Sequence, residues 1–375
     1  MTESTTLDSV SAEEREALRA SVREVLARRA GSASVRSAMG ATPRIDAGLW
    51  RTLCADVGVA ALPVPVDLGG VETGGAGATL AEAAVVLEEL GAALAPVPAL
   101  AHALATAAVL IADDAETVGA LLPDLAAGSR TATVCWASER GWSAPGVTAD
   151  AGLLSGAAHH VLDAESADVL LVLATSGDSL TLHRVDADTE GVDIRPRPVL
   201  DPTRPLSTVV FDDVAATAIA APDDLYSRLL ATAWALVSAE QVGGARRSLE
   251  LSVEYASART QFGRPIGSFQ ALKHRMADMY TLVETATSMS RAAVDAVASG
   301  DRDAVDIASA AHVYCSDAFR SVAGDAIQIH GGIGITWEHD IQLYFKRAQS
   351  SSQLFGQPHE IVARLARDAF GSAAD

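Results

Sequence analysis

A chain of 375 residues, 49% hydrophobic and 5% aromatic, is long enough to bury a substantial core and has the composition of helix packed on helix. Its formal net charge of −20 speaks against nucleic-acid and anionic-lipid partners, because gripping a phosphate backbone depends on clustered Lys and Arg. Cys54, Cys135 and Cys315 stand too far apart for a zinc pattern or a disulfide frame, the N-terminus has no charged-then-apolar leader, and no uncharged run reaches the ~18 apolar residues of a membrane span, so a cytoplasmic protein without a metal is expected.

From Ser11 the chain reads SAEEREALRASVREVLARR, with Ser11 and Glu14 at capping-box spacing and Leu18, Val22 and Leu26 at helical period. Helical text continues through LWRTLCADVG and the apolar run from Leu80 to Leu110, broken by the turn-rich VPVDLGGVETGG and by Pro96 and Pro98. Residues 1–125 therefore read as an α-helical domain. Near Arg130 the texture changes to short β-branched or alternating runs, TATVCWAS, the segment Gly152 to Ala164, VLLVLAT, SLTLHRVDA and LSTVVFDDV, which predict a small β-domain over 126–220. Long helical segments return from Asp224, giving a C-terminal helical domain over 221–375 and an α+β fold without internal repeat.

Two segments carry chemistry. In VEYASARTQFGRPIGSFQALKHRMADMY, one helix ends near Arg259, Gly263, Pro265 and Gly267 make a turn, and a second helix starts around Ser268. Arg259 can grip a phosphate, Gln261 supplies donors and an acceptor, and Phe262 can cover a flat ring, although an ordinary helix-turn-helix with an exposed Arg accounts for the same residues. In AIQIHGGIGITWEHDIQLYFKRAQ, Gly331, Gly332 and Gly334 allow close backbone approach to a ligand, and the following helix could offer N–H groups to a pyrophosphate. His330 in that turn reads as a hydrogen-bonded structural residue rather than a base.

Together, in this order on an α–β–α chain, the two segments resemble the acyl-CoA dehydrogenase family over nearly the whole length, from LWRTLCADVGVAALPVP through RTQFGRPIGSFQ to QIHGGIG. The resemblance implies an N-terminal helical domain, a middle β-barrel and a C-terminal four-helix bundle, assembled as dimers or dimers of dimers. It also implies FAD shared between two subunits. The flavin ring lies on the middle domain of one, and the ADP portion is held by the other. Arg259, Gln261, Phe262 and Gln270, with Gln328, His330, Gly331 and Gly332, fall on the ADP-side cofactor positions.

The catalytic positions depart from the family pattern. The reaction needs a carboxylate to take the proton next to the thioester carbonyl, and the family's glutamate position is occupied here by Phe355, in QLFGQ. The alternative site on the long helix is Ala233, with Trp234 where an arginine is usual; Glu240 lies two turns further along, about 10 Å by helical rise, and is a poor substitute unless the pocket is rearranged. The flavin-touching segments correspond to CWASERGWSAPG, Cys135 to Gly146, and to HVLD, His160 to Asp163, and neither keeps the family's residues. Base and ring contacts are thus lost while ADP-side contacts persist.

That asymmetry implies a paralogous partner subunit supplying the glutamate, as in the α2β2 acyl-CoA dehydrogenases of actinobacterial breakdown of steroid side chains and other bulky CoA thioesters, which QIHGGIGITWEHDIQLYFKRA resembles. The substrate is then an acyl-CoA thioester, and an electron-transfer flavoprotein is the implied electron acceptor. A homomeric dehydrogenase using Glu240, a flavin-dependent monooxygenase on the same fold, and a binding subunit without flavin remain as alternatives.

Overall fold

The computed structural model describes residues 10–370 apart from Gly69, Val71, Gly74 and Gly75; the first nine residues, on which the reading of the N-terminus partly rests, and those four positions of the turn-rich stretch lie outside the described residues. Helices α1 (Ala12–Arg29), α2 (Ser32–Met39), α3 (Ala47–Val57), α4 (Leu80–Ala93), α5 (Ala99–Ala112) and α6 (Ala115–Ala127) come first, with the short strands β1 (Glu72–Thr73) and β2 (Ala76–Gly77) paired between α3 and α4. The capping box of α1 forms, the Glu14 carboxylate accepting from the Ser11 N–H at 2.7 Å and the Ser11 hydroxyl from the Glu14 N–H at 3.2 Å. Arg15, Arg19 and Arg23 recur every fourth residue on one face of α1 and pair with Glu82 and Glu89 of α4.

The chain then builds β3 (Ala132–Cys135), β4 (Val147–Asp150), β5 (Leu153–Leu162), β6 (Val169–Ser176), β7 (Ser179–Asp186), β8 (Val192–Pro196), β9 (Leu206–Ala215) and β10 (Thr217–Ile219). They form one sheet in the order β10–β7–β6–β4–β5–β9–β8, with β3 beside β6. The expected β-barrel takes the form of a sheet wrapped around its own core, its ladder ending on β10 and β8. Register shifts in the β5–β9 pairing, between Leu154 and Gly156 and between Ala158 and Val161, bend it. Strand β6 is buried on both faces: Val169, Leu171 and Leu173 join the helical core, while Leu170, Val172 and Ala174 pack with Val147, Leu154 and Phe211 inside the sheet. A strand covered on both sides reads as an unbroken apolar run, which is the texture of VLLVLAT.

Helix α7 (Leu225–Ala258) opens the C-terminal part, followed by the hairpin β11 (Thr260–Gln261) and β12 (Arg264–Pro265), then α8 (Gln270–Ser299), α9 (Ala304–His330), α10 (Ile341–Ser351) and α11 (Pro358–Phe370). Helices α7 to α10 pack together as the bundle, and α11 lies against α9. At the crossing of α4 and α7 only glycine fits. A Cβ on Gly243 would lie 1.8 Å from the Glu88 carbonyl oxygen, and one on Gly91 would lie 2.2 Å from that of Glu240. Among the described residues no helix is long and apolar enough to cross a membrane.

Candidate functional site

The turn that follows α10 holds Phe355, and three ring N–H groups fix its backbone. The Trp142 indole donates to the Gln353 carbonyl at 3.2 Å, Trp234 to Phe355 at 3.0 Å, and His312 Nε2 to Gly356 at 3.3 Å. Burial pushes the His312 imidazole down to about 4, the Gly356 carbonyl offsetting only part of this, so the ring is neutral. Phe355 has φ of 61°, a left-handed conformation that a bulky side chain adopts only when its surroundings impose it.

Those surroundings are aromatic. Trp136 leaves the end of β3, Trp142 lies beyond the Gly141 turn, and His160 sits near the end of β5. Phe355 lies with its centroid 4.9 Å from Trp142 and 5.3 Å from Trp136, the two tryptophans are 5.5 Å apart, and Trp142 stacks on His160 at 6.1 Å. Tyr226 of α7 donates its hydroxyl to the Trp142 carbonyl and packs edge-on against Trp136 at 6.4 Å. The segments that resemble the ring-side contacts therefore touch the residue at the base position directly. A flat ring slotted between two faces needs about 7 Å, two ordinary carbon contact distances, and the Trp142 to Phe355 separation of 4.9 Å leaves none.

Ala233 is fully buried in the helical core and offers no chemistry. The expectation of Glu240 as a relocated base is corrected by its surroundings. Its carboxylate receives the guanidiniums of Arg204 and Arg347, both buried, and Arg347 also donates to Asp201 at 2.5 Å and to the Thr203 hydroxyl at 2.6 Å. Burial would push the Glu240 carboxyl up, but the two arginines outweigh it and hold the group below its ordinary value. A carboxylate fixed as an anion between two cations takes no proton from carbon. It is a structural link between the loop before β9, α7 and α10.

The residues expected on the ADP side gather at one end of the bundle. Tyr255, one turn before Arg259, stacks on His330 at 4.5 Å, and Arg275 of α8 pairs with Asp325 of α9 at 3.1 Å, so the end of α7, the hairpin, the start of α8 and the end of α9 are neighbours. Arg259, Gln261, Gln270, Gln328, Gly331 and Gly332 are exposed there, and Phe262 is 91% exposed. Among the described residues the Gln270 side chain bonds His274 alone, at 2.8 Å. Gly331 adopts φ 62°, ψ −139°, a region open to glycine, and a Cβ at Gly331 or Gly332 would meet nothing within 4 Å, so bare backbone faces open space. These residues suit a phosphate-bearing group.

His330 is 3% exposed and its Nδ1 bonds the Ala326 carbonyl at 2.7 Å, the hydrogen-bonded structural role read from the sequence, so among the expected ADP-side positions its ring supports the turn from within. The glycine turn is a 3-10 turn, Gly331–Ile335, capping α9, and α10 begins only at Ile341, whose N–H is taken by His339 Nδ1 at 3.1 Å. Sequence reasoning missed Trp136, Tyr226 and His312. In a chain with 5% aromatics, two tryptophans within the CWASERGW stretch were the available signal.

Comparison with known proteins matches residues 12–129 to the family model described as acyl-CoA dehydrogenase, N-terminal domain, and 227–369 to acyl-CoA dehydrogenase, C-terminal domain. The chain is 42% identical to acyl-CoA dehydrogenase IpdE2 of Mycolicibacterium smegmatis, covering 96% of this chain and 99% of that one. Among solved structures, a variant of the steroid ACAD Tcur3481–Tcur3483 superposes with a TM-score of 0.88 at 31% identity, covering 96% of this chain and 99% of that one. The ChsE4–ChsE5 complex from Mycobacterium tuberculosis gives 0.87 at 26% identity, covering 97% and 99%.

Proposed function

The chain belongs to the acyl-CoA dehydrogenase family, and from that premise we propose that it serves as the subunit of a heteromeric flavoenzyme that contributes the ADP-side half of a shared cofactor site and has no working site of its own. The observation that carries this reading is the direct contact of Trp136 and Trp142 with Phe355, which fills the ring side of this chain's own site and replaces the base with a hydrocarbon. Two similar solved structures bear paired names, one a complex and one a steroid ACAD, which supports a paralogous partner and a bulky acyl group.

In this reading the reaction is the α,β-dehydrogenation of an acyl-CoA thioester. Bound FAD would supply the hydride acceptor for the β-carbon, with an electron-transfer flavoprotein as the acceptor of its electrons. The partner's carboxylate takes the α-proton. This chain's part is to hold: Arg259 and Gln261 bind and orient the phosphates, Phe262 covers the flat adenine side, and the backbone of Gly331 and Gly332 permits close approach. His330 and Tyr255 keep that backbone in place from below.

The test is expression of the chain alone and with its genomic neighbour, followed by flavin content and acyl-CoA turnover. Flavin and activity are expected only in the pair. A solitary chain that is fully flavin-loaded and turns over acyl-CoA would sink the reading.

A further inference from the structure

The loop from Gly331 to Asp340 is joined at its two ends by rings. His330 ends α9 and His339 stands just before α10, and their ring centroids are 4.5 Å apart. Tyr255 of α7 lies 4.5 Å from His330 and 6.5 Å from His339, so three rings close the loop onto the bundle. Inside the loop the bonds are short-range: the Thr336 N–H and hydroxyl both donate to the Ile333 carbonyl, at 3.1 and 2.9 Å, and the Glu338 N–H donates to the Thr336 hydroxyl at 3.3 Å. A displacement of His339 is therefore passed back to the exposed backbone of Gly331 and Gly332.

The two imidazoles hold their protons differently. His330 donates from Nδ1 to the Ala326 carbonyl, and its buried Nε2 has no hydrogen-bond partner among the described residues. His339 Nδ1 accepts from the Ile341 N–H at 3.1 Å, at the start of a helix whose Asp340 cap makes no side-chain bond to it. That role needs a lone pair on Nδ1. A proton there sets donor against donor and places positive charge at the positive end of the helix. Burial holds the His339 imidazole below its ordinary value of 6.5, with Asp340 pulling it up and Arg36 down, so the ring is neutral at pH 7.

The proton has a route. His339 lines a cleft of about 760 Å³ between α1, α2, α4, α7 and α10, whereas His330 is 3% exposed. The charged groups facing His339 are Asp340, paired with Arg36 of α2 at 2.5 Å, and Glu338. Across the cleft Glu89 of α4 holds Arg23 of α1 at 2.7 Å and Arg246 of α7 at 2.8 Å, and Arg247 pairs with Glu250 at 3.0 Å. The Tyr344 hydroxyl donates to the Ala92 carbonyl at 2.6 Å, and burial pushes its ionisation further up. Carboxylates, guanidiniums and phenols ordinarily titrate outside pH 5 to 7.5, which leaves the imidazole as the group on this cleft that changes charge there.

We infer that His339 is a positioning residue for the ADP-side grip: as a neutral ring it closes the loop onto His330 and Tyr255 and caps α10, and as an imidazolium it releases both. The cofactor is then held at neutral pH and loosened in acid. The sign follows from a base held below its ordinary value: the closed arrangement is complete above pH 6.5 and is lost as pH falls below it. The inference rests on the reading that this chain supplies the ADP-side half of the cofactor site.

The test follows flavin release from the co-expressed pair by fluorescence at pH 7.5 and pH 5, for the wild type, H339N and H339A. Asparagine keeps an acceptor oxygen near the place of Nδ1 and does not titrate; alanine keeps neither acceptor nor ring. The wild type should release flavin about tenfold faster at pH 5, the equivalent of one lost helix-cap bond. H339N should hold flavin at both pH values, and H339A should release it quickly at both. A purely structural ring would instead give the two variants the same loss. Nuclear magnetic resonance on the purified wild-type chain needs no variant to fold: the His339 ring and the Ile341 amide should shift together with a midpoint below pH 6.5. Flavin bound with parallel pH profiles in wild type and H339N, or an Ile341 amide indifferent to the titration of His339, would overturn this inference alone. A pair that binds no flavin at any pH overturns the ADP-side reading, and this inference with it.

Discussion

Arg347 ties three parts of the chain together, and Arg347→Met measures how firmly. The guanidinium is 5% exposed, Asp201 1% and Glu240 7%. In the variant Glu240 keeps Arg204 and Asp201 keeps its hydrogen bonds from the Thr203 N–H at 2.9 Å and hydroxyl at 2.5 Å, but both lose a cation in a dry environment. Removing one partner of a buried ion pair costs about 3–5 kcal/mol; at a little over ~1 °C per kcal/mol for a cooperative chain of 375 residues the midpoint of thermal unfolding should fall by about 5 °C. The pH dependence is a sharper check. Asp201 and Glu240 both sit below their ordinary values of 3.8 and 4.5, burial pushing each up and the arginines pulling each further down, so the unfolded chain binds more protons in this range. Their contribution to stability is present above pH 4.5 and disappears as pH falls through the depressed folded values. In Arg347→Met, burial without its cation raises Asp201, so acidification from neutrality should cost the variant less than the wild type. Urea unfolding of both proteins from pH 7 to pH 4 tests this. A loss below about 1 kcal/mol, or two parallel pH profiles, would refute the reasoning.

Phe355→Glu restores the family's residue type but not its site. With Trp136 and Trp142 still in contact, acyl-CoA turnover by the solitary chain should stay at background, and stability should drop by about 3 kcal/mol or more for a carboxylate buried among rings. Turnover in that variant would show that the cluster is no barrier. Arg259→Ala, at an exposed position whose side chain has no partner among the described residues, should lower flavin content in the co-expressed pair with no shift in the chain's own unfolding midpoint. Gly331→Ala meets no steric contact yet forces a side chain into φ 62°, ψ −139°, so a backbone strain of about 1–3 kcal/mol and a loss of flavin are expected together, by calorimetry and absorbance. Gly243→Val drives a side chain into the Glu88 carbonyl and should unfold the protein at room temperature, seen as loss of far-ultraviolet dichroism.

What could be read in advance follows the range of the interaction. The capping box at Ser11 and Glu14 and the alternation of β7 and β9 are local, and their residues appear in the elements expected. The glycine turn was legible for the same reason, since Gly331 must occupy a conformation closed to other residues. Strands β4, β8 and β10 are only four, five and three residues long, too short for an alternation to stand out, and they pair because longer strands present an edge. The ion network joins positions 36 and 146 residues apart, and the Trp142 to Gln353 bond spans 211, separations at which no periodicity survives. Glu240, a poor substitute for the base by its distance along the helix, could not be read as an ion-pair partner on that account. Its neighbours in sequence are helix, and the two cations that neutralise it come from a loop and another helix. Phe355 was legible as a loss but not as a packing choice, because its meaning lies in Trp136 and Trp142.

The glycine crossing of α4 and α7 bears on how the molecule comes apart. The sequence changes texture twice, which suggests three units that could melt in turn. Yet Gly91 and Gly243 press the backbone of an N-terminal helix against the central helix of the bundle, one hydrophobic cluster runs from Val22 to Ile361, and the same cluster takes in the outer face of β6. Local opening therefore exposes core on both sides of any cut. Amide exchange in α4, α7 and β6 should proceed at one common rate, as a single cooperative unit, with slow exchange lost in all three at once.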